Sequence, residues 1–119
     1  MRWLPLACIA LAVALAACQE PLSSDPLIRG RQLYARLDCA TCHTIEGNGG
    51  RLGPELTHIA TVAATRTPGQ SAAEYIRRSV EDPGAYVVPG YNDVMPRGLV
   101  RRLTPEDTDA LIAWLLTHD

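Results

Sequence analysis

The five residues Cys39-Ala-Thr-Cys-His43 constrain this chain more than any other feature of its sequence. Two thiols three positions apart lie on one face of a helical turn, and a histidine follows the second thiol directly. Three kinds of chemistry use this pattern: a redox disulfide, half of a zinc site, and the covalent attachment of a haem. Each needs a different setting, so the rest of the chain decides among them.

The N-terminal segment predicts export. Residues 3–17 form an almost unbroken apolar run rich in Ala and Leu, and Arg2 gives it a positive start. The run is shorter than the roughly 20 apolar residues that a membrane-spanning helix needs. We therefore interpret residues 1–17 as a cleaved signal peptide.

The signal ends in Leu-Ala-Ala-Cys, residues 15–18, which resembles the lipobox of bacterial lipoproteins. That resemblance implies cleavage before Cys18 and a lipid on the Cys18 thiol. Residues 18–25 would then be a short tether. Residues 26–119 would be one domain, exported to the periplasm or to the outer face of a bacterial membrane. An ordinary cleaved signal with an incidental cysteine is the alternative.

Composition limits both the core and the partners of this domain. The chain has 11 basic residues, all of them Arg, and 13 acidic residues, and its net charge of −2 argues against a nucleic-acid binder. It has no Phe, 4 Tyr and 2 Trp, and one of the two Trp lies in the signal. So small a domain with so few large apolar side chains has a thin core. A large apolar cofactor inside the fold would complete it.

Helix signals predict an all-α fold with three to five helices. The first predicted helix begins at residues 24–26, with Pro26 at its first position, and runs into the Cys-Ala-Thr-Cys-His segment. Others are predicted over residues 57–64, from a capping box at residue 71 to residue 82, and from residue 104 onward. No alternating strand pattern is present. Residues 44–56 and 85–98 are predicted to be loops, which are long for a small domain unless they wrap a cofactor.

The three interpretations of residues 39–43 differ in what else they need. A thioredoxin-like disulfide follows a strand, whereas this segment follows a helix and no sheet is predicted. Zinc needs a second pair of ligands, and the chain offers no second pair at the required spacing. A haem needs two thiols for its two vinyl groups and the adjacent histidine for its iron, and export suits its attachment. The sequence therefore favours a haem c held by Cys39, Cys42 and His43.

Met95 is the candidate for the other axial position of that iron. It is the only methionine after the initiator, and it lies in a segment with no periodicity. Pro96 disfavours the α conformation at Met95, so the thioether is expected to project from extended backbone. The alternatives are that Met95 is ordinary core filling, or that His58 or His118 is the ligand. Met/His ligation fills both axial positions and indicates electron transfer rather than gas or substrate chemistry.

These residues resemble the class I cytochromes c over residues 26–117. The matching positions are Gly30 and Tyr34 on the first helix, Cys39, Cys42 and His43, Gly53 and Pro54, Met95 and Pro96, and Leu111, Trp114 and Leu115 on the last helix. The resemblance implies a small monohaem cytochrome c fold in which the first and last helices cross. It also implies that the carbonyl of Pro54 accepts the N–H of the His43 ring.

A longer stretch, residues 75–96, resembles the cytochrome c domains fused to subunit II of caa3-type oxidases. This implies that Tyr86, Tyr91 and Arg51 line the edge or the propionates of one haem c. Together with the predicted lipid on Cys18, it implies a membrane-anchored electron carrier rather than an enzyme, with no small-molecule substrate. Its partners would be respiratory complexes, such as a quinol-oxidising complex and a terminal oxidase.

Two features depart from the freely diffusing carriers of the family. One is the predicted lipid anchor. The other is the absence of the lysine ring through which such carriers dock. An arginine face would replace that ring, and its candidates are Arg77, Arg78, Arg97, Arg101 and Arg102. Two other functions remain open: a permanent haem c subunit of a multi-subunit oxidoreductase, and a haem-based gas sensor or peroxidase.

Overall fold

The structure is a computed structural model that describes residues 20–119. The predicted signal peptide, residues 1–17, and the predicted lipid site at Cys18 lie outside the described residues. Within residues 20–119 the α-helices are α1 (Pro26–Arg36), α2 (Ile59–Arg66), α3 (Ala72–Glu81) and α4 (Pro105–Leu115). A 3₁₀ turn (Cys39–Thr41) and two short strands, β1 (Thr44–Ile45) and β2 (Asn48–Gly49), lie between α1 and α2. The prediction of an all-α fold is confirmed.

Capping side chains explain where three of these helices begin. The Asp25 carboxylate accepts hydrogen bonds from the first backbone N–H groups of α1, and Pro26 occupies the position that needs no donor. Complete capping boxes start the other two. Ser71 pairs with Glu74 at α3, and Thr104 pairs with Asp107 at α4.

The predicted end of the first helix is wrong. Helix α1 stops at Arg36 instead of running into the Cys-Ala-Thr-Cys-His segment. Asp38 adopts the left-handed conformation, with φ of 56°, which breaks the helix before the first thiol. Aspartate tolerates this conformation better than most residues because its short polar side chain can hydrogen-bond locally. A separate 3₁₀ turn then presents the cysteines.

The β1–β2 hairpin was not predicted. Its strands are antiparallel and contain two residues each, too few for an alternating pattern to appear in the sequence. The connecting turn has positive φ at both central residues, 49° at Glu46 and 80° at Gly47. That is the geometry of the two-residue turns that match the twist of a hairpin.

Helices α1 and α4 cross in close contact at Gly30. A Cβ at this buried position would collide with the carbonyl oxygen of Ala110 and with Cβ of Trp114. Four residues later, the ring of Tyr34 packs against Trp114 at a centroid distance of 4.9 Å. Arg29 and Asp107 form an ion pair at 3.3 Å across the same contact. The Gly and aromatic pattern of the first helix therefore lies at the predicted crossing.

The core is small and draws on all four helices. Its buried apolar members are Leu33, Tyr34, Ile59, Ala63, Tyr75, Ile76, Ala110, Leu111, Ile112 and Leu115. Residues 82–104 join α3 to α4 without a helix or strand. In the described part of the chain, no helix has both the length and the apolar character needed to span a membrane.

Candidate functional site

An apolar cavity of about 370 Å³ lies between the helices and the irregular segments. All four helices contribute to its wall, including Ile59 of α2, Ile76 of α3 and Leu111 of α4. Twelve of the other lining residues are Leu, Val or Pro. The volume falls in the range of pockets that hold small molecules and cofactors.

Cys39 and Cys42 both line this cavity, and both are half-buried free thiols. The 3₁₀ turn brings them to the same wall: the backbone N–H of Cys42 donates to the carbonyl of Cys39 at 3.2 Å, and that of His43 donates to the same oxygen at 3.0 Å. Burial raises the pKa of the Cys39 thiol to about 11, so the unreacted thiol is protonated at neutral pH.

His43 is held in one orientation by Pro54. Its Nδ1 lies 2.7 Å from the carbonyl oxygen of Pro54, the pairing that the family resemblance implies. A carbonyl oxygen only accepts, so Nδ1 carries the hydrogen and Nε2 keeps its lone pair free for a metal. Gly53 lies against the ring, and an added Cβ there would collide with Cε1. The ring therefore has one tautomer and little freedom to turn.

The hairpin segment positions Pro54 opposite His43. The N–H of Gly53 donates to the carbonyl of Cys42 at 2.8 Å, and that of Leu56 donates to Thr44 at 2.8 Å. These bonds tie residues more than ten positions apart, on both sides of the His43–Pro54 contact. The loop after the thiols is thus a rigid support for the imidazole.

Met95 lines the same cavity from residues 82–104 and is half-buried. Its backbone carbonyl accepts a hydrogen bond from Arg97 at 3.1 Å. Arg97 also pairs with Asp93 at 2.8 Å and holds the pKa of that carboxyl below its usual value. The structure therefore brings one thioether to the cavity that also receives two thiols and one imidazole.

The residues present fit a covalently bound haem. Two thiols, an imidazole nitrogen and a thioether sulfur are the donor set that a c-type haem with Met/His ligation uses. The hydroxyl of Tyr34, another lining residue, is buried and has no hydrogen-bond partner in the structure. A buried hydroxyl normally has a hydrogen-bond partner, and an occupant of the cavity could supply that partner. Ligation by these residues remains a prediction.

Neither rival histidine reaches the cavity. His58 is exposed at the start of α2, and His118 packs edge-on against Trp114 at a centroid distance of 4.6 Å. Neither lines the cavity wall. Among residues 20–119, no group of three or more His, Cys, Asp or Glu side chains is placed to hold a metal ion.

A polar cluster on the wall was missed by the sequence reasoning. Arg66, at the end of α2, donates to the hydroxyl of Tyr75 at 3.2 Å and lies 5.6 Å from the centroid of its ring. Tyr75 in turn packs edge-on against Tyr86 at 6.0 Å. All three residues line the cavity. Nothing in the sequence marks Arg66, because a basic residue in the last turn of a helix is common.

The residues named from the caa3-type resemblance separate in the structure. Tyr86 and Tyr91 line the cavity, with Tyr91 on its exposed side. Arg51 is exposed and does not contribute to the wall. The place of Arg51 at the haem edge or propionates therefore stays a prediction.

The arginine face is partly neutralised. Arg77 forms ion pairs with Asp109 and, at 3.4 Å, with Glu81, and Arg97 is paired as described above. Arg78, Arg101 and Arg102 are exposed. Within the described residues, these three make no ion pair, so they are the members of this arginine face available to an acidic partner.

Comparison with known proteins agrees with this geometry. A family model described as "Cytochrome c" matches residues 27–119. The chain is also similar to a subunit of the nitric oxide reductase of Cereibacter sphaeroides, with 26% identity over 106 residues. That match covers 83% of this chain and 64% of the relative, so this chain spans less than two thirds of the relative's length.

Proposed function

Because the chain belongs to the cytochrome c family, we propose that it transfers single electrons by means of one covalently bound haem c. One observation carries the proposal: the two thiols, the imidazole and the thioether come from distant parts of the chain and line one apolar cavity. When bound, the haem supplies an iron that alternates between the ferrous and ferric states.

Each side chain has a distinct part in holding the group. Cys39 and Cys42 would form the covalent bonds. His43 would ligate the iron through Nε2. Its hydrogen bond to the Pro54 carbonyl fixes the ring and raises the basicity of the ligating nitrogen. Met95 would be the second axial ligand, and a thioether in that position raises the reduction potential.

The apolar wall supports electron transfer rather than substrate chemistry. If His43 and Met95 both hold the iron, no position on it would be left for a substrate. The leucine, isoleucine and valine side chains of the wall would limit the access of water to a bound haem, and burial is one of the factors that sets the potential of a haem. We therefore favour a carrier over a gas sensor or a peroxidase, which need an open position.

A second candidate function is a permanent haem subunit of a membrane redox complex. The similarity to a nitric oxide reductase subunit supports it. A mobile carrier between a quinol-oxidising complex and a terminal oxidase is the alternative, and the resemblance to caa3-type domains supports either role. In both cases we propose that residues 1–17 are removed on export and that a lipid on Cys18 anchors the domain in the periplasm or at the outer face of a bacterial membrane.

Absorption spectra of the purified, haem-loaded protein test the main proposal. The reduced protein should show the spectrum of a low-spin haem c, and carbon monoxide should leave it unchanged. The oxidised protein should show the sulfur-to-iron band of methionine ligation. In Met95→Ala, the band should disappear and carbon monoxide should bind.

Leu99→Ala is the matched control, because Leu99 lines the same cavity and its truncation removes a similar volume without removing a sulfur atom. It should keep the band. A band that persists in Met95→Ala would contradict the axial assignment. Carbon monoxide binding by the native reduced protein would favour the sensor or peroxidase.

Purification from membranes distinguishes the two cellular roles. A permanent subunit should remain with its complex in high salt, because permanent interfaces are large and apolar. A mobile carrier that docks through Arg78, Arg101 and Arg102 should dissociate from its partner complex in high salt, because salt screens the attraction between exposed charges. Release of the domain by salt alone would also argue against the lipid on Cys18.

A further inference from the structure

Arg97 connects three points around Met95. Its Nη1 donates to the Met95 carbonyl at 3.1 Å, and both terminal nitrogens donate to the Asp93 carboxylate at 2.8 Å. The guanidinium also lies over Gly84, where an added Cβ would collide with Nη2. One side chain thus joins the beginning of the irregular segment to the turn that carries the thioether.

This contact matters because the segment has few other ties. The backbone N–H groups of residues 85–103 donate only to carbonyls two or three residues earlier. Within the described chain, the side-chain hydrogen bonds of residues 84–103 are all made by Arg97. The remaining restraint on this segment is side-chain packing.

We propose that Arg97 is a positioning residue that holds Met95 toward the iron. A hydrogen bond to the Met95 carbonyl fixes the peptide unit on one side of that residue, and Pro96 restricts the backbone at Met95. With the backbone fixed at this point, the thioether needs only side-chain rotation to reach its position. Asp93 in turn fixes the orientation of the guanidinium, because each of its two carboxylate oxygens accepts a hydrogen bond from Arg97.

The inference rests on the proposed function, since the orientation of the Met95 side chain matters only if its sulfur binds the iron. Both members of the ion pair are about half exposed, at 49% for Arg97 and 48% for Asp93. Their removal should therefore leave the fold intact, and the effect should appear at the Met95 position. Imidazole, which competes with the thioether for ferric iron, is a suitable probe.

The test compares four variants of the haem-loaded chain in imidazole titrations. Arg97→Ala should bind imidazole about two- to fivefold more tightly than the wild type, the range expected from losing an exposed pair. Gly84→Ala removes no polar group but displaces the guanidinium, so it should shift the affinity in the same direction. Asp93→Asn should have a smaller effect, because the bond from Arg97 to the Met95 carbonyl can remain. Arg102→Ala, an exposed arginine without an ion pair in residues 20–119, is the control.

The outcomes distinguish a failure of this inference from a failure of the proposed function on which it rests. If the wild type lacks the sulfur-to-iron band, Met95 is not a ligand, and both proposals fail. If the band is present but Arg97→Ala and Gly84→Ala titrate like the wild type, only the role of Arg97 is refuted. An equal shift in Arg102→Ala would show a general charge effect and would also refute it.

Discussion

Substitution of Gly30 by Ala tests the crossing of α1 and α4, because two effects of known size oppose each other there. In a helix free of tertiary contacts, Gly to Ala stabilises by about 1 kcal/mol. At Gly30, however, the new Cβ would lie 2.6 Å from Cβ of Trp114 and 2.8 Å from the carbonyl carbon of Ala110. Carbon atoms in contact are normally about 3.5–4.0 Å apart. The two helices would have to separate by about 1 Å.

The size of the effect follows from which atoms must move. Overpacking a core costs about 1–3 kcal/mol, and the upper part of that range applies because two of the obstructing atoms belong to the backbone of Ala110. After subtraction of the gain in helix propensity, Gly30→Ala should be less stable than the wild type by about 1–2 kcal/mol. Urea unfolding of the haem-loaded protein, followed by helical circular dichroism, measures the difference from the shift in midpoint.

Two variants at Arg31 calibrate the propensity term. Arg31 is the next residue of α1 and is exposed, so Arg31→Ala and Arg31→Gly differ in helix propensity without a clash. Alanine should be the more stable there by about 1 kcal/mol. If Gly30→Ala is stabilised by a similar amount, the close approach at Gly30 is absent and the argument fails.

Two further predictions concern single contacts. Gly53→Ala should disturb the His43 ring, because its Cβ would lie 2.8 Å from Nδ1; the reduced absorption spectrum should change, and an unchanged spectrum would show that the loop yields easily. Ser71 donates hydrogen bonds to Glu74 and lowers the pKa of that carboxyl below 4.5. The stabilisation that these hydrogen bonds give is therefore complete above about pH 4.5. It is lost as the pH falls through the lower pKa that Glu74 has in the folded protein. The stability difference between the wild type and Glu74→Gln should be largest at neutral pH and shrink in acid, and a difference independent of pH would contradict this account.

The parts of the fold that the sequence could predict are those set by local chemistry. The capping residues Asp25, Ser71 and Thr104 each begin a helix at the expected place, since a cap acts on the backbone groups next to it. The residues proposed for the site could be named for a similar reason, because the thiol spacing and the Met-Pro pair carry their own chemistry. That they line one cavity is a finding of the structure.

The parts that failed depend on contacts distant in sequence or on very short elements. The break at Asp38 rests on one left-handed residue, which helical periodicity alone does not reveal. In the sequence, Arg66 looks like an ordinary helix-terminal arginine, because its contact with the Tyr75 ring of the next helix is visible only in the structure. For Arg66 the missing information was tertiary, and for Asp38 it was the backbone conformation of one residue.

The two sides of the site are supported in different ways, and this bears on how it works. On the His43 side, backbone hydrogen bonds of 2.8 Å join Gly50 to Ala40 and Gly53 to Cys42, ten or more positions apart. On the Met95 side, the backbone bonds are local, and one half-exposed arginine makes the polar contacts. Segments with few long-range bonds open at lower free energy than segments with many. The Met95 side should therefore loosen first. The thiols and His43 would then keep the cofactor in place. The fold can therefore tolerate a Met95 thioether that is carried by a segment with only local backbone hydrogen bonds.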